Sequence, residues 1–157
     1  EDWKKKLKKR GIRPLTIIVT RAIADCTRVA EELQAFLQDW EEITSDQAKT
    51  KVLPVTSAKE HQANIARLKL VDSPTSKVEW IVSVSMLSEG WDVKNIFQIV
   101  PHEERAFNSK LLIAQVLGRG LRRPDGWQGE DPIVLVWPHQ TSRERDPGNR
   151  ASPDLHR

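Results

Sequence analysis

The chain has 157 residues, 38% hydrophobic and 30% charged, which suffices for one domain with a real core and not comfortably for two. Its net charge of +3 is unevenly placed: residues 1–10 carry six cations against two anions, residues 141–157 four against three, and the middle is left at −2. That balance excludes a broadly basic nucleic-acid module, the single Cys26 excludes an internal disulfide, and no apolar run approaches the roughly 20 residues of a bilayer span.

The basic head, Trp3 to Arg10, is followed by no apolar stretch, so it does not read as a signal peptide, and a cytoplasmic protein with no membrane partner is expected. Residues 1–13 are expected to be a basic linker or a helix leading in, with the solvated linker preferred over a nucleic-acid contact. Leu15-Thr16-Ile17-Ile18-Val19-Thr20 is a continuous β-branched run, the pattern of a strand buried on both faces. A helix follows, with Ile23, Cys26, Ala30, Leu33 and Leu37 at three- and four-residue steps and Val29 and Phe36 widening the face. Thr20 is a candidate N-cap for it.

Lys51 to Val55 reads as a second strand, placed near an edge by Pro54. Lys59 to Leu70 reads as a helix with Ala63, Ala66, Leu68 and Leu70 on its apolar positions. Strands are expected over Val78–Val84 and Phe97–Val100, with a polar loop from Ser85 to Asn95 between them. Ser109 begins a helix carrying Leu112, Ile113, Val116 and Leu117, which Pro124 limits. Ile133 to Trp137 is the last expected strand, and residues 139–157 a polar tail. Strands alternating with helices predict an α/β domain over residues 14–138 with a mainly parallel sheet, whose ligands sit beyond the C-terminal strand ends. No further closing element follows the last strand, as expected of a piece of something longer.

Two motifs lie in that frame about 25 residues apart. The first is Ser88-Glu89-Gly90-Trp91-Asp92, after a buried strand; the second is Gln115-x-x-Gly118-Arg119-x-x-Arg122 on a helix. Positions 115, 119 and 122 share one helical face, so Gln115 and two permanently charged, fork-shaped guanidiniums are presented together. In order and wording the pair resembles motifs V and VI of the second RecA-like domain of superfamily-2 helicases and translocases, and Leu15–Leu37 resembles the strand–helix unit of motif IV. Within that superfamily the wording is similar to the helicase subunit of type III restriction enzymes and its DEAD/DEAH-type relatives. It departs from the RNA-directed DEAD-box pattern, which has a His-Arg pair where this chain has Gln115-Val116, and an arginine where it has Glu89.

The resemblance implies a RecA-like domain and an ATP-driven motor acting on nucleic acid, with DNA as the track. Arg119 and Arg122 would point at the γ-phosphate of an ATP held with Mg²⁺ by an N-terminal RecA-like domain outside this chain, and Gln115 would couple that interface. Gly90, Asp92 and Gly118 fall where the family meets the nucleotide. Ser85, Ser88, Thr20, Arg21 and Thr56 fall where it grips the nucleic-acid backbone. Methyltransferase or nuclease subunits are the further partners implied. Ordinary roles stand beside these: Asp92 as an Asx-turn or cap, Ser85 and Ser88 as loop caps, Trp91 as loop packing.

No Gly-x-x-x-x-Gly-Lys-Ser/Thr loop and no metal-binding acid box occur in the sequence, and His61, His102 and His139 lack metal-ligand spacing. No metal site is expected in this chain, and alone it is expected to turn over no ATP. The competing reading is a non-catalytic nucleic-acid or protein-binding scaffold with a degenerate helicase fold.

Overall fold

The computed structural model describes residues 2–84, 95–102, 127–128 and 135–136. In chain order these form α1 (Asp2–Lys9), β1 (Leu15–Thr20), α2 (Ile23–Glu41), α3 (Ser45–Lys51), β2 (Val52–Val55), a 3-10 turn (Lys59–His61), α4 (Gln62–Leu68), β3 (Trp80–Val84), β4 (Ile96–Pro101) and β5 (Leu135–Val136). The strands make one five-stranded sheet in the order β2-β3-β1-β4-β5. Every pairing is parallel. With helices packed on it, this is the α/β arrangement expected of a RecA-like domain.

β1 is the centre of the sheet, and all six of its residues are buried. Side chains alternate along a strand, so Leu15, Ile17 and Val19 enter one core layer with Leu53, Val55, Ile81, Ile96, Ile99 and Leu68 of α4. Ile18 points the other way, into a layer with Val52, Val82 and Cys26, Val29, Ala30 and Leu37 of α2. The Thr16 hydroxyl, also buried, donates to Gln98 Oε1 across the β1–β4 pair at 2.9 Å. That bond offsets the cost of burying it.

β4 carries one residue more than β1 opposite it: Leu15 pairs with Ile96, but Thr16 pairs with Gln98. The extra residue, Phe97, is a bulge. It lets Ile96 and Ile99, three apart, share a face, and frees the Phe97 ring to pack with Leu7 and Ile12 beside Trp127. Of the two forms expected for the basic head, the structure therefore shows the helix. α1 is docked through Leu7, and Arg10 lies over the Trp127 ring, 5.5 Å from its centroid. Lys8 reaches Glu79, just before β3, at 3.7 Å. Lys51 joins Glu79 at 3.8 Å and also pairs with Glu41, so α1, α2 and α3 are tied at the N-terminal edge of the sheet.

Several expectations are corrected. α3 was not expected: its sequence has almost no apolar residues, and only Ala48 is buried. It is held by a capping box, in which the Gln47 amide donates to the Thr44 hydroxyl while the Gln47 side chain accepts from the Thr44 amide. The helix expected over Lys59–Leu70 opens as a 3-10 turn and ends at Leu68. Of its expected apolar positions only Leu68 is buried; Ala63, Ala66 and Leu70 face solvent. On α2, Ile23 and Phe36 are 39% and 56% exposed and do not join the core face.

Thr20 does not cap α2: the N-cap is Ala22, with no side-chain bond to the helix. β3 begins at Trp80, two residues later than expected. β2 is the sheet edge, as Pro54 requires, and Asn64 of α4 donates to the Pro54 carbonyl at 2.8 Å. The helix expected from Ser109 and the tail over residues 139–157 lie outside the described residues, as does the polar loop except for Asn95. Among the described residues no helix is long and apolar enough to cross a membrane.

Ile81 is fully buried at the middle of the sheet. Ile81→Ala is therefore expected to cost about 2–5 kcal/mol in chemical denaturation, and Phe36→Ser on the exposed side of α2 less than about 1 kcal/mol. Equal losses would contradict this assignment of the core.

Candidate functional site

In a parallel sheet all strands end on one edge. Thr20 pairs with Val84 and Val19 with Pro101, so the ends of β3 and β4 flank the end of β1. Val55 pairs with Ser83, which puts the end of β2 on the same line. From β1 the chain continues to β2, on one side of it, and from β4 to β5, on the other. The crevice between β1 and β4 is therefore a topological switch point, where ligands of open α/β sheets bind.

Sequence order fixes what leaves this edge. Ser85 is the residue after β3, and the segment from His102 to Asp131, which contains the Gln115–Arg122 motif, leaves β4. Ser85, Ser88, Gly90, Asp92, Gln115, Gly118, Arg119 and Arg122 themselves lie outside the described residues. Thr20, Arg21 and Thr56 are described.

Thr20 is fully buried. Its hydroxyl donates to the Ser83 carbonyl at 3.3 Å, with the Ala22 carbonyl at 3.5 Å. It thus clamps the end of β1 to the end of β3. Thr56 is also fully buried. Its oxygen accepts from the Ala58 amide at 3.2 Å and meets His61 Nδ1 at 2.5 Å. This closes the turn after β2 around a buried histidine that residue spacing alone did not single out. A Thr followed by a His five positions on is too common a pattern to have signalled it.

Both hydroxyls are committed within the fold, so they shape the edge. Among the described residues the exposed side chains at this edge are Arg21, Ser57, Lys59 and His102. Because Ala22 supplies no capping oxygen, the first amides of α2 also remain for water or an anion beside Arg21. This edge suits phosphate oxygens. Among the described residues no three His, Cys, Asp or Glu side chains converge into a metal site.

Behind the edge lies Cys26, buried against β3, its thiol donating to the Val82 carbonyl at 3.2 Å. Burial pushes the thiol up from 9.0 to about 11, partly offset by hydrogen bonds from the Val55 backbone and the Thr20 side chain. At neutral pH it is an inert core residue.

No protein-family model and no curated protein matches this chain.

The Cys26 shift has a signed consequence. Between about pH 9 and about pH 11 the unfolded thiol ionises while the folded one keeps its proton, so the folded state loses stability as pH rises through that window. The stability gap between the native chain and Cys26→Ala is expected to shift toward the variant over that range in urea titrations. A gap that stays level or moves the other way would contradict the buried-thiol account.

Proposed function

We propose that this chain is the second RecA-like domain of a superfamily-2 DNA helicase or translocase, similar to the helicase subunit of type III restriction enzymes. One observation carries the reading. The two motif-bearing segments leave the C-terminal ends of β3 and β4, the two strands that flank β1. Those strand ends are about 10 Å apart, two strand spacings, across the edge where α/β domains hold ligands.

On this reading the residues divide by task. Arg119 and Arg122 stabilise the charge that develops on a phosphoryl group held by a neighbouring domain, and Gln115 ties their movement to that contact. Gly90, Asp92 and Gly118 border the same nucleotide. Arg21, with the uncapped amides of α2, and Ser85 and Ser88 hold backbone phosphates of the DNA. Thr20 and Thr56 contribute by fixing the strand ends from which those groups project. Mg-ATP, bound mainly by the other domain, supplies the free energy of the cycle. Opening and closing of the two domains then shifts the grip on the strand. Methyltransferase or nuclease partners belong to the same proposal, as does a cytoplasmic setting.

Two measurements test it together. The isolated chain is expected to show no DNA-stimulated ATP turnover, because it has no phosphate-cradling loop. In the protein that joins it to a nucleotide-holding domain, Arg119→Ala is expected to lower kcat about a thousandfold while ATP binding is retained. Unchanged turnover in that variant would refute the finger role and favour a scaffold.

A further inference from the structure

α1 is a short lysine-rich helix that the motor reading does not use. A run of lysines in a loose linker is an averaged charge cloud. Here the helix is fixed on the domain at several points: Leu7 is buried against Phe97 and Ile12, Lys8 meets Glu79, and Arg10 lies over Trp127. With Leu7 turned inward, Lys5, Lys6 and Lys9 fall on the outer side, and all three are exposed. Lys5 and Lys9 stand one helical turn apart, about 5–6 Å, which matches the scale of successive phosphates along a strand.

The helix sits at the start of β3 and β4, through Glu79 and Phe97. That is the edge of the sheet opposite the one from which the motif segments leave. We propose that α1 is a second nucleic-acid contact, a fixed row of Lys5, Lys6 and Lys9 that holds the phosphates of duplex DNA at the sheet edge remote from the motor site. The choice of DNA rests on the motor reading. A membrane surface fits less well, because Leu7, which an interfacial helix would bury in lipid, is already buried in the protein.

The charge pattern supports a directed contact. Residues 23–46, covering α2 and the start of α3, carry seven acidic side chains and one arginine. A duplex drawn to α1 is repelled from that surface, so the positive row sets its orientation and not merely its presence.

The test is the salt dependence of binding by the 157-residue chain to a fluorescein-labelled DNA duplex of roughly 20 base pairs, followed by anisotropy from about 50 to about 200 mM salt. Each phosphate contact adds about 0.9 to the slope of log affinity against log salt, so the Lys5→Gln/Lys6→Gln/Lys9→Gln triple variant is expected to lower that slope by about 2–3. Affinity would then fall roughly 40-fold less across that salt range than in the native chain. A control removing Lys49, Arg67 and Lys69, exposed cations on α3 and at the end of α4, is expected to leave the slope within about 1 of native.

Three outcomes would overturn the proposal: equal slope changes in the two triple variants, no duplex binding even at the lowest salt, or lysine-dependent binding to phosphatidylserine vesicles but not to DNA. Far-UV circular dichroism confirms that the variants are folded. The assay contains no ATP, so its result is independent of whether Arg119→Ala impairs turnover, and the two readings can fail separately.

Discussion

The ladder on either side of β1 is the constraint on which the rest depends. β1 pairs in parallel with β3 on one side and β4 on the other, and its side chains are buried above and below. A strand so placed has no solvated face, which is why Leu15 to Thr20 reads as an unbroken apolar and threonine run. Because every pairing is parallel, the ends of β1, β2, β3 and β4 fall on one edge within a residue of each other. A site is assembled there by topology, before any side chain is chosen. Thr20 and Thr56 then hold the edge in shape: one hydroxyl clamps β1 to β3, the other closes the turn after β2.

Charge is distributed around this sheet with a polarity that its modest total conceals. α1 brings lysines to the N-terminal edge, α2 presents an acidic outer surface, and Arg21 stands exposed at the C-terminal edge. The Lys8–Glu79–Lys51–Glu41 chain of ion pairs joins the basic and acidic helices at the starts of the strands. Lys51 and Glu79 are only partly exposed and each is shared between two pairs, so the chain ties three helices to the start of β3 at one point. The core supplies stability, through two apolar layers that meet across β1.

Much of this was legible in the residues, for reasons particular to each element. β1 was legible because burial on both faces leaves no polar alternation to misread. α2 was legible because Cys26, Val29, Ala30 and Leu37 keep a helical period, and β2 as an edge because Pro54 lacks an amide to donate. α3 was not legible from periodicity, since capping and not burial holds it; Thr44 with Gln47 three residues on was the available signal. The bulge at Phe97 has no sequence mark, because it arises from the pairing with β1. The docking of α1 turns on one leucine meeting that bulge. Thr20 looked like a cap because it precedes a helix; its hydroxyl instead goes to Ser83, a neighbour created only by the sheet. The motif residues lie outside the described residues, and the fold adds only the strand ends from which their segments depart.

In the proposed motor the Gln115–Arg122 segment completes a nucleotide site held by another domain. Hydrogen exchange of that segment tests this proposal most directly, in a protein that joins this chain to a nucleotide-holding domain, with and without ADP–aluminium fluoride as the transition-state analogue. The account predicts slowed exchange across residues 115–122 when the analogue is bound, and no change when the isolated chain is given the same analogue. Exchange that is indifferent to the analogue in the joined protein, or equally slowed in the isolated chain, would contradict it.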